Sequence, residues 1–195
     1  MATRSKIERH LKKLRLEYKL IDLGGEHFRV EDVIKFGVKP DKIVKTLLVR
    51  ANPKFESLVG VDKGVISLQK LSKSLKKHQY FAFGIRGKDR LSFKKVKKLL
   101  GPSAELARAE EVLKVVGVPV GAVCPIEIGV PVYFDKKVFQ TFLRSSSDNN
   151  RTAGLKRILD LKNVNLGSGD LTCGLDMTFS DLLKAVGKWE IADVA

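Results

Sequence analysis

The chain has 195 residues, 44% of them hydrophobic, with a formal net charge of +15. That is enough apolar material for one packed domain and excludes a disordered chain. Two cysteines, Cys124 and Cys173, and three scattered histidines, His10, His27 and His78, argue against a disulfide framework and a zinc site. No apolar run approaches the ~18 residues of a membrane span, and the first residues lack a signal peptide's apolar core. The opening segment is basic and amphipathic like a transit peptide, but Glu8 and Glu17 count against one, so a cytoplasmic protein is expected. The Lys and Arg excess points first to nucleic acid, then to an anionic membrane surface; a solvated, highly charged surface would give the same balance.

Residues 4–19 carry Ile7, Leu11, Leu14 and Tyr18 at helical spacing, with seven basic side chains around the rest, which predicts an amphipathic helix. Residues 20–23 read as a short strand broken by Gly24-Gly25. Residues 30–37 suggest a second helix stopped at Gly37. The β-branched run Ile43 to Val49 reads as a buried strand, with Lys45 at its entrance. A lysine there is more often an exposed charge at a strand end than a functional group.

Within 51–79, Leu58–Val61 and Val65-Ile66 suit short strands, and Leu68, Leu71 and Leu75 fall at helical spacing among lysines. Tyr80 to Ile85 alternates aromatic and small residues and reads as a strand. Ser92 is placed to cap a helix over 93–100 that carries Lys94, Lys95, Lys97 and Lys98, and Gly101-Pro102 ends it. The stretch 70–98 is the strongest basic patch. Leu106–Arg108 suits a short strand, and Glu110–Val116 a helix closed by Gly117.

Gly121-Ala122-Val123-Cys124-Pro125 follows, a tight loop in which glycine permits close approach and proline fixes φ. Such a loop can aim its amides at a ligand; an ordinary strand-to-strand turn would look the same. Val130–Phe134 reads as a strand, 144–157 as a polar surface excursion, and 157–161 as a short strand or turn. The end of the chain reads as Gly167-Ser168-Gly169, a strand around 175–179, and a helix capped at Ser180 with Leu182, Leu183 and Val186 inward. Strands and helices mix without regular βαβ alternation, which suggests one compact α/β domain around a mixed sheet.

These pieces, in order, resemble the YbaK family, the domain also inserted in bacterial prolyl-tRNA synthetases for editing. Lys45-Thr46-Leu47 resembles its K-T-L strand entrance, and Leu91 to Gly101 its lysine-rich helix. The 121–125 loop resembles its G-x-x-x-P loop, and Val132–Asp135 its strand ending in aspartate. Ser168-Gly169 and Gly174-Leu175-Asp176 resemble its S-G and G-L-D stretches. The resemblance implies a single domain over 1–195 with a core at about 14–190, built on a mixed, strongly curved sheet surrounded by helices. Segments 51–79 and 136–166 are longer than in the family, and Cys124 stands where serine is common.

The resemblance also implies an activity: hydrolysis, in trans, of the ester of a mischarged tRNA carrying a small amino acid, with no metal and no cofactor. Lys45 would hold the tRNA 3′ end as a point charge. The 121–125 amides would steady the ester carbonyl. Gly174 and Asp176 would complete the substrate site, Asp176 orienting the amino group, and Cys124 would line the pocket; a buried aspartate accepting backbone hydrogen bonds and a small packed cysteine fit the last two positions equally. Lys94, Lys95, Lys97 and Lys98 are the candidate tRNA contacts. No His/Asp or Ser/His arrangement offers a general base, so positioning of an already activated ester carries the chemistry. The expected partners are tRNA and, second to it, an aminoacyl-tRNA synthetase, with no membrane. A non-catalytic tRNA-binding or synthetase-associated module remains the alternative.

Overall fold

The computed structural model describes residues 2–27, 30–52, 79–143 and 163–195. In chain order the elements are α1 (Arg4–Lys13), β1 (Tyr18–Asp22), α2 (Val30–Lys35), a 3-10 turn (Pro40–Lys42), β2 (Val44–Ala51), β3 (Gln79–Arg86), α3 (Phe93–Leu100), β4 (Glu105–Leu106), α4 (Ala109–Val116), β5 (Val132–Asp135), α5 (Lys136–Leu143), β6 (Asn163–Gly167), β7 (Cys173–Thr178), α6 (Phe179–Val186) and β8 (Glu190–Ala192).

The β-branched run at β2 lies next to the central strand, β3, of the larger sheet. It pairs antiparallel with β3 from Val44↔Arg86 to Ala51↔Gln79, while its other edge takes β4. β3 and β5 are parallel, as are β5 and β8, giving the order β4-β2-β3-β5-β8. β1, β7 and β6 form a second, antiparallel sheet with β7 in the middle. The expected mixed α/β domain is therefore present, with its strands divided between two sheets. Among the described residues one parallel bridge, Ile43↔Asn165, joins them.

Period-two alternation sorts β2 between two cores. Val44 and Leu48 face the first, with Ile7 and Leu11 of α1, Val164 and Leu166 of β6, Leu175 and Met177 of β7, and Phe179 and Leu182 of α6. Val49 and Ala51 face the second, with Phe83, Ile85, Val96 and Leu100. Phe134 anchors the first core edge-on to Phe139, Phe179 and Trp189, at centroid separations of 6.4, 6.4 and 6.3 Å. Burying such a ring contributes about 1.5–3 kcal/mol. Gly84 makes room for it, since a Cβ there would lie 2.5 Å from the Phe134 ring.

Several boundaries differ from the sequence reading. The first helix ends at Lys13 rather than near residue 19. Arg15 takes a positive φ of 55°, and Tyr18 joins β1 opposite Met177; pairing with β7 overrides the continuing helical pattern, and Leu14 is left exposed. Ser92 occupies the N-cap position of α3, but its side chain makes no capping bond. The last helix begins at Phe179 and is capped by Thr178, whose Oγ1 accepts from Asp181 N at 3.1 Å, not by Ser180.

Three elements were not anticipated: α5, β6 and β8. Asp135 starts α5, because its buried carboxylate accepts from Lys137 N, Val194 N and Ala195 N, each at 2.8 Å. The expectations for 53–78 and 144–162 lie outside the described residues. Among the described residues no helix is long and apolar enough to cross a membrane.

Candidate active site

The bridge between the sheets leaves a cavity of about 280 Å³ where β2 begins, β6 ends and β7 begins. Lys45, Gly121, Val123 and Gly174 all line it, so four residues picked from three separate stretches of sequence meet in one place. Apolar side chains, among them Val30, Ile43 and Leu171, make up much of the wall.

Lys45 is half-buried, and its Nζ donates to Gly87 O at 2.8 Å. Burial pushes its pKa below the usual lysine value, while Glu31 and Asp89 pull it back up. Gly87 is fixed in turn by its own N–H, which donates to Ile43 O at 2.7 Å. The cation therefore stands on a backbone carbonyl rather than on a carboxylate, and its charge is left available to the cavity.

The 121–125 loop turns at Gly121, whose φ of 95° suits glycine. Ala122 N is spent on Pro119 O at 3.2 Å, and Ala122 O accepts from Gly169 N at 2.9 Å. The N–H groups of Gly121 and Val123 make no hydrogen bond among the described residues. Gly167 of β6 presses against this loop, since a Cβ there would lie 2.5 Å from Val123 O and 2.9 Å from Ala122 O. The close approach of β6 thus sets the loop's position.

Ala122, Cys124 and Pro125 are buried behind the wall rather than on it. Burial pushes the Cys124 thiol up to about 12, so it stays protonated and acts as packing. Asp176 is also not on the wall. By strand alternation it shares a sheet face with Gly174 and Asn165, but its carboxylate accepts from Asn163 Nδ2 at 2.5 Å. The carboxylates that do line the cavity are Glu31 and Asp170. Asp170 Oδ1 accepts from Thr172 N at 2.9 Å and Thr172 Oγ1 at 2.8 Å, and these bonds lead in holding its pKa below the usual range. Its Oδ2 lies 3.5 Å from Arg4.

His27, also on the wall, sets its Nε2 against Leu23 O at 2.9 Å and stacks edge-on to Phe36. Cys173 contributes a thiol 3.1 Å from Ser168 Oγ. Thr46 and Asn165 complete the polar lining. The sequence reading passed over Glu31, His27, Asn165 and Asp170 as site residues. Asn165 had the one usable signal, an amide alternating with Asn163 and flanked by Val164 and Leu166.

The lysines of α3 lie apart from the cavity. Lys94, Lys97 and Lys98 are exposed, whereas Lys95 pairs with Asp193 at 2.7 Å and donates to Ala195 O at 2.7 Å. Among the described residues no cluster of His, Cys, Asp and Glu is arranged to hold a metal ion.

A family model described as an aminoacyl-tRNA editing domain matches residues 29–156. The chain belongs to that family. Among solved structures, the hypothetical protein APE2540 is similar at 25% identity, with 97% of this chain and 98% of that chain covered and a TM-score of 0.63. A protein described as a "putative trans-editing enzyme for prolyl tRNA synthetase" shares the fold at 20% identity, with 98% and 95% covered and a TM-score of 0.62. No curated protein matches the sequence. The editing-domain match covers Lys45 and the 121–125 loop; Asn165, Asp170, Cys173 and Gly174 lie beyond its end.

Proposed function

We propose that this protein is a trans-acting aminoacyl-tRNA deacylase that hydrolyses the ester of a mischarged tRNA carrying a small amino acid. One observation carries the reading: the Lys45 ammonium and the unused amides of Gly121 and Val123 line the same cavity. In this scheme Lys45 grips the phosphate of the terminal nucleotide, and the two amides face the carbonyl oxygen where charge gathers as water attacks. At about 280 Å³ the cavity suits a short side chain beside part of a ribose and turns away bulky ones. Glu31 and Asp170 supply negative charge for the substrate's α-ammonium.

Among the described residues no His/Asp or Ser/His hydrogen bond is made on the wall, so in this scheme holding the ester and a water in register supplies the rate. The role described for the second structural neighbour, editing in trans, fits this reading, as does a cytoplasmic setting where charged tRNA is found. Lys94, Lys97 and Lys98 are the proposed contacts to the tRNA body, and a synthetase is a further partner.

Deacylation of a panel of mischarged tRNAs by wild type and Lys45→Ala tests it. Turnover of at least one ester by wild type, lost in the variant, is expected. Tight tRNA binding without turnover of any ester would replace it with a non-catalytic binding module.

A further inference from the structure

We infer that Asn165 and Thr46 select an aminoacyl group bearing a side-chain hydroxyl over its analogue lacking that hydroxyl, an inference that rests on the deacylase reading. Asn165 is 3% exposed and Thr46 is 8% exposed, and both line the cavity. Asn165 Nδ2 and Thr46 Oγ1 are buried polar atoms with no hydrogen-bond partner. Such atoms are costly to leave unpaired, and nearly all find a partner in a folded protein. Two neighbouring side chains are already engaged, the Cys173 thiol with Ser168 and His27 with Leu23 O, whereas the free amides of Gly121 and Val123 belong to the carbonyl site of the proposed reading.

The geometry holds this pair in place. Asn165 sits on β6 at the bridge between the sheets, opposite Ile43, and Thr46 follows three residues along the same strand path. Across β7 the Asn165 amide packs over Gly174, where a Cβ would come within 3.2 Å of both Nδ2 and Oδ1. Glycine at 174 is what leaves room for the amide beside the cavity.

A hydroxyl both donates and accepts. It can pair with the amide whichever way the amide is turned, and with the threonine hydroxyl as well. A methyl group pairs with neither and keeps water from doing so. A site built around a substrate hydroxyl discriminates against the analogue lacking it far more strongly than an apolar pocket discriminates by size. The ribose hydroxyls of the terminal nucleotide are common to every substrate, so pairing with those would give no preference between amino acids.

One tRNA sequence charged with serine or with alanine isolates the effect, because all contacts to the nucleic acid cancel. The expected result is a kcat/KM for the seryl ester at least about tenfold above that for the alanyl ester. Thr46→Val and Asn165→Leu should each shrink that ratio at least about threefold, while Thr46→Ser keeps it. Thermal melting verifies that each variant is folded; if Asn165→Leu is not, the Thr46→Val and Thr46→Ser pair decides. Equal or faster cleavage of the alanyl ester, or a ratio unmoved in the folded variants, overturns the inference while leaving the deacylase reading intact. Cleavage of no ester in the panel sinks both.

Discussion

The two walls of the cavity differ in kind. One, built from the start of β2 and the 121–125 loop, carries a cation and two unused amides. The other, built from the end of β6 and the start of β7, carries an amide, a thiol, a carboxylate and glycines packed tightly against their neighbours. The first lies inside the editing-domain match and the second outside it. On the proposed reading this is a division of labour: Lys45 and the amides, with Asp170 from the other wall, serve any aminoacyl ester, while Asn165, with Thr46 from β2, reads the side chain.

Removing the cation should break the first wall most severely. Lys45→Met is expected to lower kcat/KM by about 10²-fold or more, the scale of losing one preorganised electrostatic contact. Its stability should move the other way. Burial depresses the Lys45 pKa in the fold, so at any pH below that value the folded chain bears an unfavourable charge. The penalty disappears only above the unfolded lysine value of about 10.4. At neutral pH methionine relieves it, offset by the lost bond to Gly87 O, so the melting temperature should hold or rise. For the wild type, the alkaline fall in kcat/KM, corrected for spontaneous ester hydrolysis, should come below that ordinary lysine value. A folded Lys45→Met enzyme within threefold of wild type would end the division described above.

Gly167→Ala tests how the walls depend on each other. The new Cβ meets the carbonyls of Val123 and Ala122, which are backbone and cannot swing aside. Overpacking of this kind costs roughly 1–3 kcal/mol. Because the strain pushes the loop from the cavity, kcat/KM should fall about tenfold, as expected when a positioning element shifts. Lost stability with full activity would mean that the loop does not act on substrate.

Much of the first wall was legible in the sequence because its signals are local. Lys45 opens a β-branched run, and Gly121 and Pro125 bracket a turn, so both residue type and spacing are visible within a few positions. The second wall was harder to read. Asn163 and Asn165 look like turn formers until β7 pairs with them, and that pairing leaves Asp176 against Asn163 and off the cavity wall. The choice of Asp170 over Asp176 as the cavity's carboxylate likewise depends on which residue the 168–173 turn carries inward. The fold shows the same split. The α3 and α4 helices announced themselves by spacing and glycine stops, whereas α5 owes its start to Asp135 reaching the chain's last residues.

The two aspartates give a smaller, sharper contrast. Asp170→Asn should raise KM about fivefold with kcat little changed, the pattern of lost ground-state binding. Asp176→Asn should stay within about twofold on both, since an amide can still meet Asn163. The reverse ranking would return the amino-group role to Asp176 and move the substrate one residue pair along β7.

The smallest effect is expected farthest from both walls. Lys94 and Lys97 are exposed on α3, unlike Lys95, which Asp193 holds. If the first two touch phosphates, Lys94→Ala and Lys97→Ala should each flatten the dependence of log binding constant on log salt by roughly 0.7–0.9. Lys95→Ala should leave the slope alone and instead weaken the chain's C-terminal attachment. That attachment is acid-sensitive in a definite sense. Lys136 and Lys95 hold the Asp193 carboxyl down to about 2, so its contribution is complete above the unfolded value near 3.8 and is lost as pH falls through about 2. In the Lys95→Ala variant the carboxyl is held down less, so the loss should be smaller and finish at higher pH, a change visible in acid unfolding curves. A changed salt slope for Lys95→Ala, with none for Lys94→Ala or Lys97→Ala, would place the tRNA on the other side of α3.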